Sequence, residues 1–439
     1  MRITINIGAV VEDRQGHDRQ LCHRERRSVK SARDGAASNG GITHGISGTR
    51  GTGTSRRRTG DRRAQISAIA AELFSERGYH GVGLGEIASA AGITGPAIYR
   101  HFPNKQGILA HAAREFAAAL TECARRADAE PGSDRDKLDA VVRAVAELVV
   151  HRRRSIRLYQ WEARHLDDED RRHVARCLGD LISVLAHRLA AVRPELPAAT
   201  ARLLASASLS GIAGWSTHRV ALGDKVAQAR LCSIAAVLLA ADPPADSPTS
   251  AAPAGNGVPD LAARREKLLA AAVPLFRRRG FHAVSMEEIG TAAGINASSV
   301  YRHFSGKADL LAAVYYRAAD RLTSACGQAV ADAPDAEAAR RGLVAAYVDF
   351  AFRNRDLLAV YLSEYKNLPT GDRHELRRAQ RDHVRQWTLV AERVRPDAQH
   401  AQVTAQAALN MINDLAMASA QPATPEQAAH LALDVLHRV

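Results

Sequence analysis

The sequence predicts an all-α protein built from two similar halves. Stretches rich in Ala, Leu, Arg and Glu recur along its 439 residues and only 5% are aromatic, which favours helix over sheet. Apolar residues recur three and four positions apart, as on amphipathic helices. A gap-free internal repeat at an offset of 202 residues then divides the chain into two units.

The repeat is strongest where 62–111 aligns with 264–313, with 23 identities in 50 positions. The register continues downstream, because a Y-x-x-E-x-x-x-L-x-x-x-D-R pattern fills both 159–171 and 361–373. We infer that a unit of about 180 residues was duplicated, joined by a linker rich in Pro, Ala, Ser and Gly. The expected plan is a disordered basic tail (1–60), a helix-turn-helix domain (61–121), a helical regulatory domain (122–241), the linker (242–259), a second helix-turn-helix domain (260–322) and a second helical regulatory domain (323–439).

Charge and cysteine usage limit the class of protein. The net charge of +13 suggests an anionic partner, although the first 60 residues hold twelve Lys and Arg against five Asp and Glu, and so over half of it. Five scattered cysteines without a CxxC pair fit a reducing cytosol, and no apolar run is long enough to span a membrane. A cytoplasmic protein without a membrane partner is expected.

Helix one of each repeat has an apolar stripe, seen at Ile66, Leu73 and Phe74, and closes at Gly78. Helix two follows at Leu84, and its counterpart begins with the capping box of Ser285 and Glu288.

Gly92 and Gly294 end helix two, because a positive φ is easiest for glycine. Thr94 and Asn296 then cap a short third helix. Helices two and three form a helix-turn-helix at about 84–103 and 286–305.

The third helix is the expected DNA-reading element. Ile98 with Phe102, and Val300 with Phe304, should point into the core. The opposite face should meet DNA. In the first unit this face carries Thr94, Gly95, Pro96, Ala97, Tyr99, Arg100 and His101, and in the second Asn296, Ala297, Ser298, Ser299, Tyr301, Arg302 and His303.

The twice-written pattern GI(T/N)xxx(I/V)YRHFxxK resembles the DNA-binding domain of TetR-type transcriptional regulators. That resemblance implies an all-helical chain whose C-terminal domains bind ligand and pair as a four-helix bundle. It also implies a double-stranded DNA operator and a small-molecule inducer as partners. Phosphate or base contacts are implied for Tyr99, His101, Lys105, Tyr301, His303 and Lys307.

Physical arguments add to the expected interface. Lys105 and Lys307 begin the fourth helix, where the helix dipole and free N–H groups favour a phosphate. Asn104 is a good cap for this helix, but its counterpart is Gly306. The arginines before helix one can contact the DNA backbone. They are Arg62, Arg63, Arg264 and Arg265. The net charge is +1 over 61–105 and +5 over 264–307, so the two readers should bind DNA unequally.

Catalysis finds no support in the sequence. It contains no GxSxG elbow, HExxH pair or metal-ligand spacing of Cys and His, so we expect no enzyme, metal or cofactor.

The repeated Y-x-x-E-x-x-x-L-x-x-x-D-R pattern predicts a ligand site at Tyr159 and Glu162, and another at Tyr361 and Glu364. The alternative is that the pattern forms a helix and a loop, with its aspartate as a helix cap. Mostly apolar helices suggest an apolar or amphipathic ligand. The WEARHLDDEDRR segment is similar to tandem TetR-type regulators of mammalian-cell-entry operons, which points to a lipid, acyl or sterol derivative.

Two assemblies remain open. In a one-chain pseudodimer, two different readers would face successive major grooves and require an asymmetric operator. In a homodimer of whole chains, four readers would face a palindrome. A third reading, from another class of protein, is a ligand-binding or scaffold protein in which one or both units no longer bind DNA.

Overall fold

The structure is a computed structural model that describes residues 53–153, 165–217, 220–245, 263–396, 400–418 and 422–439. The prediction of an all-α fold is confirmed, because these residues form helices and turns with no strand among them. The first unit contains α1 (Gly53–Arg77), α2 (Leu84–Ala90), α3 (Gly95–Ile98), α4 (Lys105–Asp128), α5 (Asp134–His151), α6 (Asp168–Val192), α7 (Ala198–Ala213), a 3-10 turn (Gly214–Thr217) and α8 (Asp224–Leu239).

The second unit repeats these α-helices in nearly the same register and adds α14, whose aligned positions 153–162 lie almost entirely outside the described residues; the 3-10 turns fall at different positions. It contains α9 (Arg264–Arg279), α10 (Met286–Ala292), α11 (Ala297–Val300), α12 (Lys307–Ala331), α13 (Ala336–Arg353), α14 (Arg355–Glu364), a 3-10 turn (Tyr365–Asn367), α15 (Thr370–Val394), α16 (Ala401–Met417) and α17 (Pro425–Arg438). The duplication read from the sequence therefore extends to the end of the fold.

The first helix begins earlier in the chain than the expected plan places it. Helix α1 begins at Gly53, so its first turns lie inside the segment 1–60 that we expected to be disordered. Arg56, Arg57 and Arg58 are good helix formers, which explains how the helix extends backwards. Residues 1–52 and 246–262, which include most of the tail and of the linker, lie outside the described residues.

The described residues form three hydrophobic cores. One core lies in each helix-turn-helix domain, around Phe74 and Phe102 in the first unit and around Phe276 and Phe304 in the second. The third core is shared by the regulatory helices of both units. The two regulatory domains are therefore packed as one body, while each helix-turn-helix domain keeps a core of its own.

The contact between the units is a four-helix arrangement. Helix α16 packs across α7, and α17 packs against α8. At Gly214 an added Cβ would lie 3.0 Å from Cα of Ala407, so the two backbones approach too closely for a side chain. These are the paired C-terminal helices of each unit, and they meet within one polypeptide.

The turn before each reader helix depends on glycine conformation. Gly92 and Gly294 both have φ of 67° and no atom near an added Cβ, so each is needed for its backbone angle and not for space. Gly290 is different, because an added Cβ would lie 2.7 Å from Val300 Cγ2. The first unit places Ala88 at this position and buries it.

Candidate nucleic-acid interface

The first reader helix, α3, is held in place by side chains that it buries in the domain core. Ile98 and Phe102 are buried in the core of the helix-turn-helix domain, as the sequence predicts. Tyr99 lies on the other side and is 59% exposed, an unusual exposure for a large aromatic side chain. An exposed tyrosine on a short helix can stack against a sugar or donate to a phosphate.

The second reader helix, α11, has the same arrangement and a stronger cap. Val300 and Phe304 are buried, and Tyr301 is 52% exposed. The side chain of Asn296 accepts a hydrogen bond of 3.0 Å from the backbone N–H of Ser299, whereas Thr94 makes no such bond in the first unit. The second reader is therefore held more firmly at its start.

The structure brings the remaining reader residues predicted from the sequence to the surface. The exposed residues are Thr94, Pro96, Arg100, Asn296, Ser298, Arg302 and His303. Gly95, Ala97, His101 and Ser299 are half-buried, and the backbone of Ala297 lies in α11. Two polar, partly aromatic surfaces result, each presented by a short helix.

Lys105 has partners within the protein that the sequence did not reveal. Its Nζ donates to the carbonyl oxygens of Tyr79 at 2.7 Å and Val82 at 2.9 Å, and it lies 4.4 Å from the centre of the Tyr79 ring. These contacts attach the start of α4 to the loop between α1 and α2. An ammonium group has three N–H donors, so the phosphate contact expected of Lys105 stays a prediction.

Lys307 makes the equivalent contacts in the second unit. Its Nζ donates to the carbonyl oxygens of Phe281 at 2.8 Å and His282 at 3.3 Å. The loss of the asparagine cap does not disturb this, because Asp309 accepts hydrogen bonds from the backbone N–H and hydroxyl of Ser305 instead. Lys307 therefore has the same internal role as Lys105, and its phosphate contact likewise stays a prediction.

The arginines that the sequence places before helix one lie within α1, as Arg62 and Arg63, or begin α9, as Arg264 and Arg265, and several have partners. Arg62 donates to Gln65 Oε1 at 2.6 Å and to the carbonyl of Ala91 at 3.2 Å. Arg63 lies over the Phe102 ring at 4.9 Å, and Arg265 lies over Phe304 at 5.1 Å. Arg264 and Arg265 are exposed at the start of α9. These side chains lie at the edge of the reader surface, where backbone contacts are expected.

An acidic residue that sequence reasoning missed lies beside the second reader. The hydroxyl of Tyr301 donates to Glu287 Oε1 at 3.1 Å. A backbone hydrogen bond at Glu287, followed by hydrogen bonds from Ser285 and Tyr301, lowers the pKa of this carboxyl, so it is ionised at neutral pH. Glu287 aligns with Gly85, a difference that the alignment of the two repeats contains.

The ligand residues proposed from the repeated pattern separate in the structure. Tyr361 lines a cavity between α12, α13, α14 and α15. Glu364 is buried but does not line this cavity; its carboxylate accepts from Ser363 and Asn367 and faces the turn at Gly280. Tyr159 and Glu162 lie outside the described residues.

The aspartates of the same pattern are not helix caps. Asp167 caps α6, accepting from the backbone N–H of Asp170, while the buried carboxylate of Asp170 pairs with the half-exposed Arg114 of α4. Asp372 accepts a hydrogen bond of 2.9 Å from the hydroxyl of Tyr316. Both aspartates therefore attach α6 or α15 to the helix that follows the reader.

Two further properties concern only the described part of the chain. It contains no group of three or more His, Cys, Asp and Glu side chains placed to hold a metal ion. None of its helices combines the length and apolar character needed to cross a membrane.

Comparison with known proteins gives two separate family matches. The family described as "Bacterial regulatory proteins, tetR family" matches residues 66–112 and again residues 268–314. The HTH-type transcriptional activator FasR of Mycolicibacterium smegmatis is 41% identical over 87 residues, 20% of this chain and 40% of that protein. The HTH-type transcriptional repressor KstR2 of Rhodococcus jostii is 33% identical over 110 residues, 25% of this chain and 54% of that protein. The chain thus spans about half the length of these curated relatives.

Solved structures of similar proteins each correspond to less than half of the chain. The regulator PfmR of Thermus thermophilus has a TM-score of 0.35 at 22% identity and covers 39% of this chain and 97% of its own. AibR, solved with isovaleryl coenzyme A and operator DNA, has a TM-score of 0.35 at 20% identity and covers 38% of this chain and 94% of its own.

The two family matches fall on the two copies of the repeat, and each contains a complete helix-turn-helix. Two segments of the chain therefore match the TetR family, and they form a tandem arrangement of two TetR-type helix-turn-helix domains in one polypeptide.

Proposed function

We propose that this protein is a sequence-specific transcriptional regulator that represses by binding a double-stranded DNA operator through both helix-turn-helix domains. The observation that carries the proposal is the pair of exposed reader surfaces around Tyr99 and Tyr301, each on a short helix anchored by buried residues. The relatives named above are transcription regulators and include a repressor. A cytoplasmic location follows from this role, since the operator must be accessible.

The shared core supports a pseudodimer formed by one chain. Helices α7, α8, α16 and α17 bury their apolar faces against each other within the polypeptide. Buried polar bonds also join the units, from Asn410 Nδ2 to the carbonyl of Ser210 at 2.7 Å and from Thr217 to Gln406 at 3.1 Å. A homodimer of whole chains would need a different surface or an exchange of these helices between chains.

The two partners in this bundle are not equivalent. Helix α16 presents Gln406, Asn410 and Asp414, where the aligned residues of α7 are Leu204, Ser208 and Ile212. Pairing two copies of α16 would bring buried carboxyl and amide groups together without the partners that α7 offers. This asymmetry favours pairing of unlike units.

Unlike readers joined through one shared regulatory core imply an asymmetric operator. The residues exposed by TGPA and NASS differ, so the two half-sites should differ in sequence. The half-sites should lie in successive major grooves, about 34–36 Å apart along one face of the duplex.

Footprinting combined with a measurement of solution mass tests the assembly. We expect one chain bound to one duplex over a non-palindromic site. A palindromic footprint with two chains on each duplex would contradict the pseudodimer and support the homodimer with four readers.

A second candidate function has one observation in its favour. Glu287 places a negative charge beside Tyr301, and the first reader domain carries little net positive charge, so one or both units could have lost DNA binding in favour of a ligand-binding or scaffold role. A gel shift with the DNA upstream of the protein's own gene separates the two. A shift that survives excess non-specific DNA supports regulation, and none at low salt supports the alternative.

Release by a small apolar ligand completes the proposal. Tyr361 lines the cavity of the second unit, and α14, on which it lies, packs against α9 of the second helix-turn-helix domain. A ligand that favours one placement of α14 would change the spacing of the readers. A lipid, acyl or sterol derivative, and a link to a mammalian-cell-entry operon, remain predictions.

A further inference from the structure

The cavity of the second unit has a volume of about 90 Å³ and lies within the regulatory helices α12 to α15. Its walls are mainly aromatic and aliphatic. They include Tyr315, Tyr347, Phe350, Tyr361, Leu376 and Val384. A space of this size accepts a small ring or the end of a larger molecule.

Two polar side chains of α15 reach this cavity without completing their hydrogen bonds. Gln380 and His383 lie one helical turn apart and both line the cavity. Gln380 Oε1 accepts a 3.3 Å bond from the hydroxyl of Tyr361, but its Nε2 and both ring nitrogens of His383 are shielded from solvent and have no partner. Shielded polar atoms of this kind require an explanation, because a buried polar group without a hydrogen bond destabilises the folded protein.

The His383 ring is held in position and is neutral. It stacks on Tyr347 with ring centres 5.3 Å apart and meets Trp387 edge-on at 6.1 Å. Burial lowers the pKa of His383 to about 4, so at neutral pH the ring offers one donor and one acceptor.

The chemistry of the walls limits the charge of a ligand. None of the lining residues is Asp, Glu, Lys or Arg. A carboxylate or ammonium group inside the cavity would lose its hydration with no opposite charge to replace it. The Nε2 of Gln380 and the donor of His383 instead suit a neutral oxygen such as that of a ketone, ester or alcohol.

The first unit lacks this polar group. The residues aligned with Tyr347, Gln380 and His383 are Val145, Leu178 and Leu181. Val145 and Leu181 are buried in the shared core. The two positions of α15 that could hydrogen-bond a ligand in the second unit are therefore both leucine in the first.

We propose that the second unit alone binds a small neutral molecule with an apolar body and one hydrogen-bonding oxygen, held by Gln380 and His383, and that the first unit does not sense this class of ligand. Binding of the ligand does not depend on the proposed function. The effect of the ligand on DNA binding rests on the proposed function. That consequence has a route, because the Tyr315 hydroxyl donates to the carbonyl of Val360 at 2.9 Å, and Val360 belongs to the core of the second helix-turn-helix domain. The ligand should therefore act first on the second reader.

Three matched probes test the ligand class on the full chain by saturation-transfer NMR at millimolar concentration: cyclopentanone, cyclopentane and cyclopentanecarboxylate. We expect the ketone to bind about tenfold more tightly than the hydrocarbon, as one or two satisfied hydrogen bonds allow, and the carboxylate to bind at least tenfold more weakly than the ketone.

The double variant Q380L/H383L places leucine at both positions, as the first unit has at Leu178 and Leu181. Helix α6 of the first unit folds with these leucines at the aligned positions. The double variant should bind the hydrocarbon as the parent does and lose the preference for the ketone. The matched control L178M/L181M, in the first unit, should leave the ketone affinity unchanged.

The inference would be overturned if the carboxylate bound as tightly as the ketone, or if the double variant kept its preference for the ketone. It would also be overturned if the control variant bound the ketone more weakly. If no probe bound, the cavity would hold only water and the inference would fail. A gel shift with the ligand-free parent and the ligand-free double variant tests the two proposals separately. If neither protein binds DNA but the parent still prefers the ketone, the proposed function fails and the ligand site stands.

Discussion

The two units share their framework and differ where they face ligands. Arg77 pairs with Glu86 at 2.7 Å, and Arg279 pairs with Glu288 at 2.5 Å, at aligned positions. The lysine that fastens the fourth helix to the loop after helix one is also present in both units. The reader surfaces, the cavity walls and the facing sides of α7 and α16 have instead diverged. Duplication has therefore preserved the contacts that fold each unit and changed those that give it a binding preference.

Exchange of the reader residues should have the largest effect. Replacing TGPA of the first unit by NASS, with T94N, G95A, P96S and A97S, makes the two reader helices alike at these positions. Each mismatched base pair costs about 1–3 kcal/mol, so the variant should prefer a palindrome of the second half-site over the parental operator by about a hundredfold or more. Competition binding at fixed salt measures this preference.

The reverse exchange, NASS to TGPA in the second unit, is the matched control and should select a palindrome of the first half-site. If either variant keeps the parental preference, the readers do not account for the asymmetry between the units.

Lys105→Met should lower the free energy of unfolding of the first unit by about 1–3 kcal/mol, because the carbonyls of Tyr79 and Val82 lose a charged donor. Lys307→Met should do the same in the second unit. Chemical denaturation measures both changes. The salt dependence of DNA binding should stay that of the parent, whereas loss of a phosphate contact would reduce its slope by about 0.9 without destabilising the protein.

Asp414→Asn tests the buried difference between α16 and α7. Burial raises the pKa of Asp414 well above its ordinary value, with a hydrogen bond from Ser210 opposing this. The folded protein therefore keeps a proton that the unfolded chain releases near pH 4, and stability falls as the pH rises towards the raised pKa, by at most about 1.4 kcal/mol per pH unit. Asparagine does not ionise, so the stability of the variant relative to the parent should grow from pH 5 to pH 8.

Thermal unfolding across this pH range measures the gain. Ile212→Asn, at the aligned position of α7, should destabilise the protein by the same amount at every pH. A difference between parent and Asp414→Asn that does not change with pH would show that this carboxyl does not titrate on unfolding.

Glu287→Gln should give the smallest effect. It removes the negative charge that accepts from Tyr301, so DNA affinity should rise about threefold at low salt and less at high salt, as for other exposed charges. Gly85→Glu adds that charge to the first unit and should weaken binding to a similar degree. Equilibrium binding in a salt series would contradict this if neither substitution changed the affinity.

Local features of the fold were predictable because they depend on residues close in sequence. Buried Ile98 and Phe102, and the left-handed Gly92, follow from helical spacing and backbone preference. The contacts of Lys105 with Tyr79 and Val82 connect residues 26 and 23 positions apart, and sequence spacing does not reveal such pairs. Sequence spacing also did not separate Tyr361 from Glu364: they lie three residues apart on α14, yet Tyr361 lines the cavity and Glu364 faces the turn at Gly280.

The sequence by itself determined the helical class, the duplication and the position of both reader helices. The apolar periodicity predicts the helices, and the identical residues at a fixed offset reveal the repeat. Only the tertiary structure decided what the charged and polar residues do. It gave Lys105 and Lys307 carbonyl partners within the protein, and it placed Gln380 and His383 at a cavity in one unit. The reason is physical: the partner of a polar group is set by which distant backbone or side chain folding brings within about 3 Å.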